Sequence, residues 1–297
     1  MLKKFGNYIL AKDSHAAMIA FFAALLPLFY FPTGFIASIV IGFVALQKGL
    51  KSGLFVLAWA ALPTIALMVL RHVGLFDVLM IRCVLILGLA LLLRRFHSWG
   101  VLLEAIALAG IAVIALLHAF VPSMLQWWVA HLTHFANDVV LAAPHWKLSQ
   151  MTPADVVNHI APVATGVIGF VFSLGILFEL VIARYWQASV TDSTAFQGEY
   201  IQIHIGRLAA LIGLILTILM FLKYPTAIDI FPLVLLPFFV AGLSLMHFFV
   251  RNKKGISVGL ILIYIGLFIL PVFVVSVLGL IGFIDCFFDF RKKVVMS

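Results

Sequence analysis

The sequence predicts an all-α, polytopic integral membrane protein, a helix bundle of about ten transmembrane segments. Three observations predict it. First, 65% of the 297 residues are hydrophobic and 10% charged, with mean hydropathy +1.24. The surface of a soluble domain is roughly 25–35% charged. Second, the apolar residues fall in blocks of about 15–25, the length that crosses ~30 Å of hydrocarbon at ~1.5 Å per residue. Third, the cations stand at the ends of these blocks, where a soluble nucleic-acid binder would cluster them on one face. No block alternates with period two, as membrane β-barrel strands do.

The blocks lie at roughly 15–31, 33–46, 52–70, 74–93, 99–121, 160–183, 206–222, 230–250, 256–270 and 272–288. With both termini cytoplasmic and ten crossings, Arg71, Lys147 and Lys223 fall outside and Arg82 inside a helix. The other fifteen of the nineteen Lys and Arg residues sit at cytoplasmic ends. That asymmetry sets the orientation. Read as one helix, 256–288 would be about 50 Å long, more than a bilayer needs. Pro271 lacks a backbone donor and favours a break, so this stretch reads as a hairpin, with nine crossings as the alternative.

The first segment, after Lys3 and Lys4, reads as a retained helix and not as a cleaved signal. Its Ala16, Ala20 and Ala24 form a small-residue ridge at i, i+4, i+8. Such a ridge lets a second helix approach closely, either within this bundle or on a separate membrane subunit.

Arg82 falls near the middle of the fourth segment. A cation there needs a partner, and Glu104 across the short turn, then Asp77, are the nearest acids. On the fifth segment Glu104, Ala107, Ile111, Ala115 and His118 share one face, since 14 residues make nearly four turns. Arg82, Glu104 and His118 are thus expected to line a polar cavity; the alternative is an ion pair and two wetted helix ends. Glu179 in the sixth segment shares a face with Gly175 and lies close to Arg184. It reads as an interfacial acid or as a paired, ligand-lining one.

Two connections are long. Residues 122–159, on the outer side, open with "SMLQWWVAHLTHFANDVVLAA" and read as an interfacial amphipathic helix. Its His131, His134 and Asp138 share a face, with His145 and His159 following, but the spacing fits no established zinc site. Thr152 before Pro153 marks a capped helix start. Residues 185–205 read as a polar cytoplasmic loop. The chain is expected to form one membrane domain over 1–297.

The chain closes with "GFIDCFFDFRKK", where Asp285 and Asp289 stand four apart at a helix C-terminus. Like charges at i, i+4 repel, and the helix dipole disfavours anions there. Asp285 is therefore expected to point inward onto His247, Arg251, a backbone donor or a proton, while Asp289 leans on Arg291 to Lys293. Phosphate loops, zinc-protease helices and serine-nucleophile elbows are absent from the sequence, which argues against an enzyme and implies no cofactor.

Two late stretches, "GLSLMHFFVRNKK" (242–254) and "GLIGFIDCFFDFRKK" (279–293), resemble the closing region of the YybS-like bacterial membrane proteins. The matching positions are Gly242, His247, Asp285, Asp289 and Arg291. The resemblance implies a multi-pass protein of the bacterial inner membrane. It also implies distant similarity to the S components of energy-coupling-factor transporters, whose first-helix ridge docks a coupling subunit. The expected partners are the bilayer, a small solute and such a membrane subunit, with no nucleic acid. The expected function is transport-type, with a non-transporting scaffold or assembly factor as the alternative.

Overall fold

The computed structural model describes residues 2–29, 31–71, 75–142, 152–191, 195–252 and 257–295. It is 92% helical, and no strand occurs among the described residues. The helices are α1 (Leu2–Ala11), α2 (Asp13–Leu25), α3 (Phe35–Lys48), α4 (Leu50–Arg71), α5 (Leu75–Phe96), α6 (Trp99–Phe120), α7 (Met124–Ala142), α8 (Pro153–Ile160), α9 (Ala164–Thr191), α10 (Ala195–Tyr200), α11 (Arg207–Phe221), α12 (Pro225–Asn252), α13 (Ser257–Ile269), α14 (Pro271–Phe288) and α15 (Phe290–Val295).

A helix stands at each of the ten apolar blocks. Four stretches are long and apolar enough to cross a membrane: α6, Pro153–Thr191, α12 and α14. A fifth is added if α1 and the helix after it, bent by 113° at Lys12, form one broken span. The helices α3, α11 and α13 are shorter apolar helices. By length and composition, the described residues thus hold four to five candidate spans, against the ten expected.

By contacts the described chain forms two compact units, 1–102 with 173–202 and 103–172 with 203–297. In the first unit α2 packs on α3 and α4, and α3 on α5. Ala16, Ala20 and Ala24 are fully buried in this packing. The small ridge therefore serves close approach of helices inside the unit, and no methyl of it is left for a separate subunit. The N-terminal helix α1 lies against the last part of α9: Trp186 donates from Nε1 to the Leu2 carbonyl at 3.1 Å and stacks on Phe43. Gly49 ends α3 with φ +91°, a conformation that glycine adopts without strain. The turn exposes α3's last carbonyls, which Arg94 covers from α5.

In the second unit α12 is the central helix, flanked by α11 and α14. Its register on α14 decides the shape of 256–288. Gly279 lies against Leu235, Gly282 against Phe238, and Arg291 links Asp285 to Ser244 and to the Ala241 carbonyl. Higher numbers on α12 thus meet higher numbers on α14, so the two helices run parallel. The helix α13 must return between the end of α12 and the start of α14, and the stretch is a hairpin that breaks at Leu270 and Pro271. A methyl group on Gly242 would meet the Leu278 carbonyl, and one on Gly282 the Phe238 carbonyl. Backbone touches backbone along this seam, the small-residue packing that membranes favour.

Two boundaries differ from the sequence reading. The polar stretch 185–205 does not open as a loop: α9 continues to Thr191, and α10 follows at 195–200. Its polar side chains are used for contacts, with Arg184 donating to Glu199 and Gln187 to the Leu46 carbonyl. The helix α12 starts at Pro225, five residues before the apolar block, because proline suits a first helical position. Thr152 and Asp155 form a reciprocal capping box at the start of α8.

Candidate functional site

Buried charge in apolar helices is costly unless paired, so the ionisable side chains inside the helices mark the places where chemistry is concentrated. In the first unit, Arg82 of α5 pairs with Glu179 of α9, which is 2% exposed. Ser38 of α3 donates to the second carboxylate oxygen of Glu179 at 2.6 Å. Gly175, one turn before Glu179, lies beside the guanidinium and leaves it room. The expected partner Glu104 is thus replaced by Glu179, an acid 97 positions away in sequence. Asp77's side chain lies outside the described residues. The result is a three-helix polar clasp whose charges balance.

The second unit holds a centre that the sequence reading only half located. His118 near the end of α6 places Nε2 2.9 Å from Asp229 Oδ2. Asp229 sits one turn into α12 and is 3% exposed. Its other oxygen accepts from the Gly166 backbone N–H at 2.8 Å. That N–H belongs to the first turn of α9, just past a 3-10 break at Ala161–Val163. With the carboxylate ionised, both of its oxygens accept and the imidazole is the donor. A carboxylate at a helix N-terminus is favoured by the dipole. Gly166 is required here, because a methyl group would collide with the Asp229 carbonyl.

A cavity of about 50 Å³ opens beside this pair, lined by His118, Asp229, Trp128, Met124, Pro162 and Pro225. It has room for water or an ion and is too small for an organic solute, whose pockets run to roughly 300 Å³ or more. Met124, Leu125 and Trp128 of α7 border it, and Trp128 donates to Thr165 at 2.9 Å. Asp229 went unnoticed in the sequence because the apolar block was drawn from residue 230. Pro225 was the available signal, since it marks a helix start that places Asp229 one turn inside.

The remaining candidates fall elsewhere. Glu104 accepts from the Gly206 N–H at 2.7 Å and borders a separate apolar groove with Ala107 and Ile111. Arg82, Glu104 and His118 thus have different partners: Glu179, the Gly206 N–H and Asp229. Asp285, 1% exposed, is held by Arg291 and by the Phe290 N–H at 2.9 Å. The expected partner His247 instead meets the Tyr264 hydroxyl at 2.8 Å. Asp289 ends α14 in the left-handed conformation (φ 44°) and turns the chain back so that Arg291 reaches Asp285. Lys292 pairs with Asp289 at 2.6 Å and holds that carboxyl below the usual aspartate range. On α7, His134 pairs with Asp138 in the open while His131 bonds the Trp127 carbonyl. Among the described residues no cluster of three metal-ligating side chains forms. His145 lies outside the described residues.

The class these features define is an all-α protein with several helices long and apolar enough to cross a membrane and with ionisable pairs buried between helices. The chain matches no protein-family model, no curated protein and no solved structure.

Proposed function

We propose that this chain is a transport-type protein of the bacterial inner membrane, with ten crossings and both termini cytoplasmic. The centre for a proton, an ion or water is His118 with Asp229. One observation carries the reading: a nearly fully buried carboxylate, shared by a histidine and the first turn of a broken helix, beside a small cavity. Broken helices whose N-termini meet charge at a polar centre recur in secondary transporters. The likeness of 242–254 and 279–293 to YybS-like proteins supports the membrane assignment; a partner subunit would have to dock on a face other than the buried Ala16, Ala20 and Ala24 ridge.

The test is flux. Purified protein in liposomes should collapse an imposed pH gradient faster than protein-free liposomes. Asp229→Asn keeps an acceptor for the Gly166 N–H but removes the charge, and should return flux to background. Wild-type protein no faster than empty liposomes would overturn the reading. A scaffold that helps assemble other envelope proteins is the second reading, favoured by the small size of the cavity. Copurification of the same membrane proteins with wild type and Asp229→Asn, without flux, would select it.

A further inference from the structure

The second unit carries a groove that the proposed centre does not use. Between α6, α11 and α12 lies a cavity of about 120 Å³, walled by Ala107, Ile111, Ile212, Leu216, Pro237 and Phe238. Leu108 and Leu208 at its rim are both more than half exposed. Along α6 it runs from Glu104 to Ile111, about 10 Å at ~1.5 Å per residue. Its volume is well under the roughly 300–1,000 Å³ of sites that enclose a whole organic ligand. A segment of one hydrocarbon chain fits such a space.

One end of the groove is not apolar. Glu104 closes it, five residues from the start of an apolar helix long enough to cross a membrane. Its Oε1 accepts from the Gly206 N–H, and its Oε2 has no hydrogen-bond partner among the described residues. The next residue after Gly206 is Arg207, whose side chain is exposed. An acid with an open oxygen at the end of an apolar groove, and an exposed cation next in the chain to the Gly206 that it holds, match a molecule of three parts: an ammonium donor, a phosphate and an alkyl chain.

We infer that this groove is a binding site for an ammonium-headed phospholipid, phosphatidylethanolamine. Its ammonium donates to Glu104 Oε2, its phosphate lies toward Arg207, and part of one acyl chain enters between α6, α11 and α12. The ammonium of this head group carries hydrogen-bond donors; a quaternary choline head carries none, and a glycerol head carries no cation. Charge-assisted hydrogen bonds are the stronger kind, so the site selects by head group. This inference rests on the membrane reading and is independent of the transport reading.

The experiment uses the full chain, purified in mild detergent, reconstituted in liposomes and released for native mass spectrometry. The liposomes contain equal phosphatidylethanolamine, phosphatidylcholine and phosphatidylglycerol with identical acyl chains. Retention of phosphatidylethanolamine on the order of tenfold above the other two is expected, the ratio that one charge-assisted hydrogen bond supports. Glu104→Gln retains an acceptor for the Gly206 N–H and should abolish the preference. Ala107→Leu fills the groove and should reduce retention of all three. The wild-type comparison decides the matter even if a variant does not fold. Equal retention of the three lipids by the wild type, or an unchanged preference in a folded Glu104→Gln, would overturn the site. Failure of the protein to enter liposomes at all would overturn the membrane reading beneath it.

Discussion

At the scale of single residues, the closing aspartates show how a local conflict is settled by geometry. Asp285 and Asp289 would repel on one helical face. The left-handed turn at Asp289 ends the helix, brings the Phe290 N–H and the Arg291 guanidinium over Asp285, and sends Asp289 to Lys292. Breaking a buried pair on one side leaves an uncompensated charge. Arg291→Met should therefore cost about 3–5 kcal/mol, read as a lowered melting temperature in detergent, and Asp285→Asn in the same chain should recover part of it. The outer pair behaves differently. Lys292 lowers the Asp289 pKa below its ordinary 3.8. A lowered folded value means that the contribution is full above pH 3.8 and is lost as pH falls through the lowered value. Lys292→Ala should thus cost stability at pH 7, by less than about 1 kcal/mol because the pair is partly exposed, and progressively less as pH falls below 3.8 through the lowered value.

At the scale of elements, the seam between α12 and α14 is the most specific packing in the second unit. Gly242 and Gly282 bring the two backbones together, and a methyl group on either meets a carbonyl of the other helix. Gly282→Ala should cost about 1–3 kcal/mol by overpacking. The contrast is Gly88 on α5, where a methyl group would meet nothing within 4 Å. Gly88→Ala should be neutral or stabilise by up to about 1 kcal/mol, the difference in helix propensity. Thermal unfolding of both variants in one detergent checks the pair. The positions of these helices were legible in the sequence, because apolar blocks bounded by charge and proline report the helices directly. The hairpin at Pro271 was legible for the same reason. The pairings were not. Arg82 was matched to Glu104 because that acid is near in sequence, whereas Glu179 is brought to it by the packing of α9 in the first unit. Asp229 lay just outside the apolar block that contains its neighbours, so hydropathy alone did not single it out. Asp285 was the exception. Its inward direction followed from the penalty for leaving it at a helix C-terminus, and one of the expected partners, a backbone donor, is the Phe290 N–H; the charged partner is Arg291 and not His247.

At the scale of the whole molecule, the proposed topology makes a prediction that depends on the hairpin. The cluster Arg291 to Lys293 follows α14, and Arg251, Lys253 and Lys254 follow the apolar part of α12. A parallel α12 and α14 bring their C-terminal ends to the same side, which agrees with both basic clusters facing the cytoplasm under the charge rule. A single long helix over 256–288 would put the two clusters on opposite sides and leave three adjacent cations outside. Alkaline phosphatase, active only outside, and green fluorescent protein, fluorescent only inside, distinguish the two when fused in turn. Fusions after residue 254 and after residue 297 should both fluoresce without phosphatase activity, and one after Leu270 should show the reverse. Phosphatase activity at the C-terminus with fluorescence after residue 254 would mean an odd number of crossings beyond α12. The parallel register that places Arg291 against Ser244, and with it the buried site of Asp285, would then be wrong.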